Sequence, residues 1–166
     1  MEFRVAIQIE DNFLEKKDFK VIENLICSDE FPWFFNKKVL KKFSEDNILN
    51  YQFTHNFFKN HMISSNAYNI LLPLIDKIKP KAIIRIKANL NVASKDLIKY
   101  DIHKDQEFDC KGAIYYVNTN NGYTLFQNEK VQSKENRIVF FKANSFHGGT
   151  NCTDVENRIL INFNYL

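Results

Sequence analysis

His103 and Asp105 stand one residue apart in "YDIHKDQEFDC", just ahead of the apolar, aromatic run "GAIYYVN". In extended backbone, residues i and i+2 share a face about 7 Å apart, so both side chains can aim at one point while Lys104 turns away. An imidazole and a carboxylate aimed together can begin a metal site, but two donors are too few. Two histidines and one carboxylate on one face of an octahedron would suffice, leaving three positions open for substrate and O2. A second histidine must come from elsewhere in the chain. His55 in "QFTHNFF" has no acidic neighbour and reads as a partly buried strand residue, and His61 in "KNHMISS" reads as a surface loop residue. His147 differs: it follows the apolar "NRIVFF" and the turn "KANSF", and opens "HGGT", where small residues leave a metal accessible. Arg158 lies eleven residues further on, on the following strand. A planar guanidinium pointing inward there can grip a carboxylate with two parallel hydrogen bonds.

These side chains need elements to hold them. In "FRVAIQI", Phe3, Val5, Ile7 and Ile9 alternate with Arg4, Ala6 and Gln8, the period of a half-buried strand. "KKDFKVIENLICS" puts Phe19, Ile22, Leu25 and Ile26 on one helical stripe, with Asp18 as the expected N-cap. "SSNAYNILLPLIDKIKP" repeats the helical pattern, and Pro73 should kink or restart it. "YQFTHNFF" reads as extended. From residue 82 the period changes to two: Ile84, Ile86, Ala88, Leu90 and Val92 oppose Arg85, Lys87, Asn89 and Asn91. "GAIYYVN", "NRIVFF" and "RILINFNY" are further strands, set apart by turns such as "TNNGY" and "ANSFHGG". On the last strand Arg158, Leu160, Asn162 and Asn164 fall on one face, with Ile159, Ile161, Phe163 and Tyr165 on the other. That alternation fits either an exposed edge strand or a barrel with a partly polar interior that holds a ligand.

Composition bounds the rest. The 166 residues are 45% hydrophobic and 14% aromatic, enough for one sizeable core and too few for two ordinary domains. The 23 basic and 20 acidic residues are interleaved and leave a net charge of +3, without the basic footprint of a nucleic-acid binder. Cys27, Cys110 and Cys152 are odd in number and lack a C-x-x-C spacing, which points to reduced thiols in a cytoplasmic setting. The opening "MEFRVAIQIEDNF" has neither a signal peptide's apolar centre nor the length of a membrane span. The expectation is one domain over 1–166, with a helical and strand preamble over 1–79 and a β core over 80–166.

With those residues in view, "HKD", "AIYYVNTNNGYTLF", "NRIVFFKANSFHGG" and "NRILINF" resemble the core of the Fe(II)- and 2-oxoglutarate-dependent dioxygenases, nearest to the prolyl-hydroxylase-like branch. The likeness spans roughly residues 80 to 166, and "DNFLEKKDF" and "FPWFFN" fit the helical preamble of small viral and bacterial members. The resemblance implies an α+β, mainly β fold: a double-stranded β-helix, or cupin-like jelly roll, with N-terminal helices packed on the sheet. It implies His103, Asp105 and His147 as iron ligands, Arg158 as the clamp on the distal carboxylate of 2-oxoglutarate, and Tyr116 as that carboxylate's support. Hydroxylation of an unactivated C–H bond would accompany decarboxylation of 2-oxoglutarate to succinate and CO2, with O2 consumed and ascorbate as an expected reductant. Where the family often carries a tyrosine on the strand before the metal motif, this chain has "RIKANLNV", so Asn89 or Asn91 takes that place.

The resemblance also bears on the substrate. Nucleic-acid demethylases of the wider clan carry a second arginine six residues beyond the first; that position here is Asn164. The leading expectation is a protein or peptide side chain such as proline, then a free amino acid or other small metabolite, and last a nucleobase. Tyr100 is expected at the rim of the site, with the polar loop from Val92 to Lys99 able to close over a bound segment. The chain is expected to be a monomer or weak oligomer in the cytoplasm, the host's if the source is viral. A non-catalytic cupin-like binding module and a zinc hydrolase remain as rivals, though the first has no use for an inward arginine and the second lacks a placed general base.

Overall fold

The computed structural model describes residues 7–37, 39, 50–127 and 129–166. The strand expected around Phe3 and Val5 lies outside the described residues except for its end, β1 (Gln8–Glu10). Helix α1 spans Lys16–Ile26 and buries Phe19, Ile22 and Ile26, the stripe read from its spacing. Each such side chain contributes about 1.5–3 kcal/mol by leaving water. Asp18 is not its N-cap. Glu15 occupies that position without a side-chain cap, and its carbonyl accepts from the Asp18 and Phe19 amides. Asp18 sits instead in the first turn, where a negative charge favours the helix end. The segment around Pro73 restarts as expected: a 3-10 helix over Asn66–Leu71 gives way to α2 (Leu72–Ile78), with Pro73 at its beginning. A missing amide hydrogen costs nothing there.

The remaining elements are strands: β2 (Phe34–Asn36), β3 (Gln52–Lys59), β4 (Met62–Ile63), β5 (Ile83–Val92), β6 (Lys111–Tyr116), β7 (Tyr123–Phe126), β8 (Glu129–Gln132), β9 (Arg137–Lys142), β10 (His147–Gly149) and β11 (Asn157–Tyr165). Three expectations are corrected here. "FPWFFN" ends in strand β2 rather than extending a helical preamble, "HGG" is strand β10 rather than turn, and Tyr123 opens β7 instead of closing a turn. These strands are short, and a run of three or four residues carries little periodicity of its own.

All described pairings are antiparallel. The larger sheet runs β1-β9-β6-β11-β5-β3-β2, with β4 on β3, and a smaller sheet runs β10-β7-β8. β11 is interior to the sheet, between β6 and β5, which excludes the edge-strand reading of its alternation. Its outward Ile159, Ile161, Phe163 and Tyr165 join Ile86, Ala88 and the residues of α1 in one apolar layer beneath the helices. Its inward face meets a second, smaller cluster of Ile114, Tyr116, Phe126, Val131, Val139, Phe141 and Leu160. This is the jelly roll expected from the sequence, mainly β with the helices laid on one face of the larger sheet. Among the described residues no helix is long and apolar enough to cross a membrane.

Buried Asn136 ties the segment before α1 to the sheet. Its amide accepts from the Leu14 N–H (2.8 Å) and the Tyr115 hydroxyl (2.8 Å) and donates to the Leu14 carbonyl (2.9 Å), from a left-handed backbone (φ 57°) that Asn tolerates. Asn136→Ala leaves these buried partners unpaired. It should lower unfolding stability by about 1–3 kcal/mol, read as a lower urea midpoint at unchanged slope.

Candidate active site

The two halves of the candidate metal cluster reach each other through the backbone. His103 and His147 form an isolated antiparallel bridge, the N–H of each donating to the carbonyl of the other at 2.8 and 2.9 Å. Asp105 follows in irregular backbone rather than in a strand, anchored by its N–H to the Ala143 carbonyl at 3.0 Å. The three side chains nevertheless converge, with donor atoms all within 4.8 Å of one another. His103 Nε2 lies 3.8 Å from Asp105 Oδ1 and His147 Nε2 lies 3.9 Å from Oδ2. Adjacent ligands with bonds of about 2.1 Å sit about 3 Å apart, so a modest contraction would close the set around one ion.

Both imidazoles are oriented for this. His147 Nδ1 lies 3.1 Å from the Ser145 carbonyl and His103 Nδ1 lies 3.3 Å from that of Asp101. A carbonyl can only accept, so Nδ1 carries the hydrogen and Nε2 turns its lone pair inward. Burial between Phe126 and Phe141 lowers the His147 pKa, which favours the neutral, ligating form. Burial works against charge on Asp105, yet the neighbouring His103, the Arg85 guanidinium and the Asn164 amide together hold its carboxyl well below the usual range. Arg85 Nη2 donates to Oδ1 at 2.9 Å and Asn164 Nδ2 to Oδ2 at 3.1 Å. Lys104 does not turn away from the site as strand geometry predicts. It lines the cavity mouth with its ammonium over Phe146, because the backbone there is irregular.

Beyond the cluster a cavity of about 280 Å³ runs between the sheets. Arg158 lines it, 1% exposed. Its Nε donates to Ser133 Oγ (2.7 Å), Nη1 to the Thr150 carbonyl (3.2 Å) and Nη2 to Thr124 Oγ1 (2.9 Å). All three acceptors are neutral, and among the described residues no carboxylate pairs with Arg158. Burial accordingly pulls its pKa down. Tyr116 lies beneath it, ring face 5.6 Å from the guanidinium carbon and hydroxyl donating to the same Thr124 at 2.8 Å.

The remaining sequence candidates divide. Asn89 and Asn91 both line the cavity, as does Asn162, and all three are buried with a side-chain oxygen that has no partner. Tyr100 also lines it, its hydroxyl pushed up to about 12 by burial while the Arg158 charge acts to lower it. The loop from Val92 to Lys99 is fastened by fully buried Asn151, which accepts from the Ile98 N–H (2.8 Å) and donates to Ser94 Oγ (2.6 Å). As described, it is tied to the turn after β10 rather than poised over the site. His55 is buried between the Pro32 carbonyl and Ser65 Oγ, and His61 is exposed, so neither approaches the cluster. Sequence reading passed over Thr124, Ser133 and Gly122. The last is required by close approach, since a Cβ there would meet Arg158 Cδ at 2.5 Å and the Asn151 carbonyl at 2.4 Å.

No protein-family profile matches the chain, and no curated protein does. Solved structures do. A viral collagen prolyl hydroxylase from Paramecium bursaria Chlorella virus-1, in its 2-oxoglutarate complex, is 14% identical with a TM-score of 0.62, covering 95% of this chain and 94% of that one. A prolyl hydroxylase from Trichoplax adhaerens, bound to a peptide fragment of a hypoxia-inducible factor oxygen-degradation domain, is 11% identical with a TM-score of 0.67, covering 96% and 83%. A non-haem α-ketoglutarate-dependent epimerase of nogalamycin biosynthesis is 10% identical with a TM-score of 0.67, covering 98% and 78%. The chain has the fold of the 2-oxoglutarate- and iron-dependent oxygenases.

The convergent donors make a direct prediction. Divalent cobalt or zinc should bind the native chain at one site, seen by calorimetry and by the visible cobalt spectrum. His103→Ala, Asp105→Ala and His147→Ala should each weaken that binding by more than the roughly 10- to 100-fold that loss of an outer partner costs. Their circular dichroism should remain that of the native fold.

Proposed function

We propose that the chain is an Fe(II)- and 2-oxoglutarate-dependent dioxygenase that hydroxylates an unactivated C–H bond. The observation that carries this reading is Arg158: a buried cation without a counter-charge, opening onto the same cavity as a cluster of two histidines and a carboxylate. An uncompensated interior charge costs several kcal/mol, and a bound anion offsets that cost. A short dicarboxylate that chelates a metal through its 2-oxo acid end presents its other carboxylate to such a group. Fold likeness to a protein solved with 2-oxoglutarate supports that choice of anion.

In this reading His103, Asp105 and His147 hold Fe(II), their Nδ1 hydrogens and carboxylate partners fixing the direction of each lone pair. Arg158 receives the distal carboxylate, oriented by Ser133, Thr124 and the Thr150 carbonyl, with Tyr116 supporting it through Thr124. Of Asn89 and Asn91, the pair from which one takes the place of the tyrosine of related enzymes, Asn91 is the register partner of Arg158 and so stands beside the cosubstrate. When bound, iron, 2-oxoglutarate and O2 supply the oxidation: the cosubstrate becomes succinate and CO2, and one oxygen atom passes to the substrate carbon. Phe126 and Phe141, packed on His147, keep water from that side of the metal ligands. Neighbours named as prolyl hydroxylases, one of them bound to a peptide, support a protein or peptide side chain as substrate, with a free amino acid or small metabolite as the second choice.

Anaerobic addition of Fe(II) and 2-oxoglutarate together should produce a visible metal-to-ligand charge-transfer band, and a cupin-like binding module would give none. Arg158→Ala should weaken 2-oxoglutarate binding by about 2–5 kcal/mol, measured by titrating that band. An unchanged affinity would assign the clamp to another residue. Asp105→Ala should abolish succinate production in air, and wild-type turnover by that variant would remove the metal site.

A further inference from the structure

The cavity holds more positive charge than the proposed cosubstrate can match. On β5 the inward side chains run Arg85, Lys87, Asn89 and Asn91, facing Asn164, Asn162, Leu160 and Arg158 on β11. Arg85 is spent on Asp105 at 2.9 Å. Lys87 lines the cavity and, among the described residues, has neither an ion pair nor a hydrogen-bond partner. Burial, then the Arg85 charge, bring its ammonium down to about 8, with Asp105 pulling the other way. The place of Lys87 on β5, two residues from Arg85 and on the same face, puts it at the metal end of the cavity, since Arg85 and its register partner Asn164 both bond Asp105. Asn91, which pairs with Arg158, stands four residues along the strand, about 13 Å at the backbone. Beside Lys87, Asn162 and Asn89 are 9% and 8% exposed and hold amide oxygens without partners. Buried polar groups are ordinarily hydrogen-bonded, so these amide oxygens, with that of Asn91 and the Lys87 ammonium, form one polar wall free to take a ligand's polar groups.

A dicarboxylate has two carboxylates. With one at Arg158 and the other at the metal, Lys87 and its amide neighbours remain. We propose that Lys87 binds a carboxylate of the substrate itself, placed beside the carbon that reacts, while Asn162 and Asn89 take the hydrogen-bonding groups next to it. This rests on the dioxygenase reading and narrows its substrate class to acids: a free amino acid, or a peptide presenting an acidic side chain. A blocked neutral prolyl peptide leaves Lys87 uncompensated.

The test is calorimetric binding to zinc-loaded protein, with and without saturating 2-oxoglutarate. The probes are the free L-amino acids and their carboxamides, blocked acidic tripeptides, and a blocked neutral prolyl tripeptide. The expected result is that at least one acid binds in the presence of 2-oxoglutarate, with its carboxamide roughly 30-fold weaker or more. Lys87→Met should bring the acid down to the carboxamide's level, Lys87→Arg should restore much of the difference, and both should keep 2-oxoglutarate affinity within about twofold. Whether the binding acid is free or within a peptide identifies the source. Three results overturn the assignment: no acid binds, a carboxamide or the neutral prolyl peptide binds as tightly as the acids, or Lys87→Met weakens 2-oxoglutarate as Arg158→Ala does. Should Lys87→Met not fold, the acid and carboxamide comparison on the native chain still decides. Failure of the dioxygenase reading would appear separately, as native protein that does not bind 2-oxoglutarate at all.

Discussion

The guanidinium of Arg158 is a full positive charge taken out of water, and three neutral oxygens around it satisfy its hydrogens without matching its charge. Much of the smaller sheet can be understood as the frame that makes this possible. Thr124 comes from β7, Ser133 from just beyond β8, and the Thr150 carbonyl from just beyond β10, so each of the three strands delivers one acceptor to the same side chain. Gly122 opens the space for its stem, and Tyr116 closes the floor. Held this way, the guanidinium is fixed in direction by the protein's own oxygens.

The same strand explains the layering. β11 is buried on both sides, and its two faces require different partners. Its isoleucines and aromatic residues demand an apolar cover, which α1 and the segment around Pro73 supply. Its Arg158 and Asn162 need a polar environment, which the cavity gives them, while Asn164 bonds Asp105. A single sheet could not provide both environments. Two sheets with helices on one outer face can.

Much of this was legible in the residues, because a period of two in β5 and β11 states which side chains share a face. Arg85, Lys87, Asn89 and Asn91 thus share one face of β5 and Arg158, Asn162 and Asn164 one face of β11, while for β11 the context was open: edge strand or lumen. The pairing of β11 with strands on both flanks resolves it, and that pairing joins residues more than forty positions apart, as Leu160 with Tyr116. The donors to Arg158 were not legible for a related reason. Thr124 and Ser133 sit in short strands and turns, where one hydroxyl looks like any other until the chain is folded. The irregular backbone at Asp105 was hidden too, since "HKDQ" fits a strand pattern and only its bonds to Ala143 break it.

Charge also links the two ends of the cavity. Among the described lining residues Asp105 is the one carboxylate, and it already answers Arg85, while Arg158, Lys87 and Lys104 have no carboxylate partner. A divalent cation held by the histidines would raise this positive excess, and the low-dielectric walls would carry the effect along the cavity. In the dioxygenase reading, a dianion bound beside the metal and Arg158 would offset the charge the metal adds. In the dioxygenase reading the two ligands are then thermodynamically coupled: each should bind better with the other present, by the same factor in both directions. Burial, which lowers the His147 pKa and so favours its neutral form, works toward the same end, because a neutral imidazole adds no positive charge to the cavity.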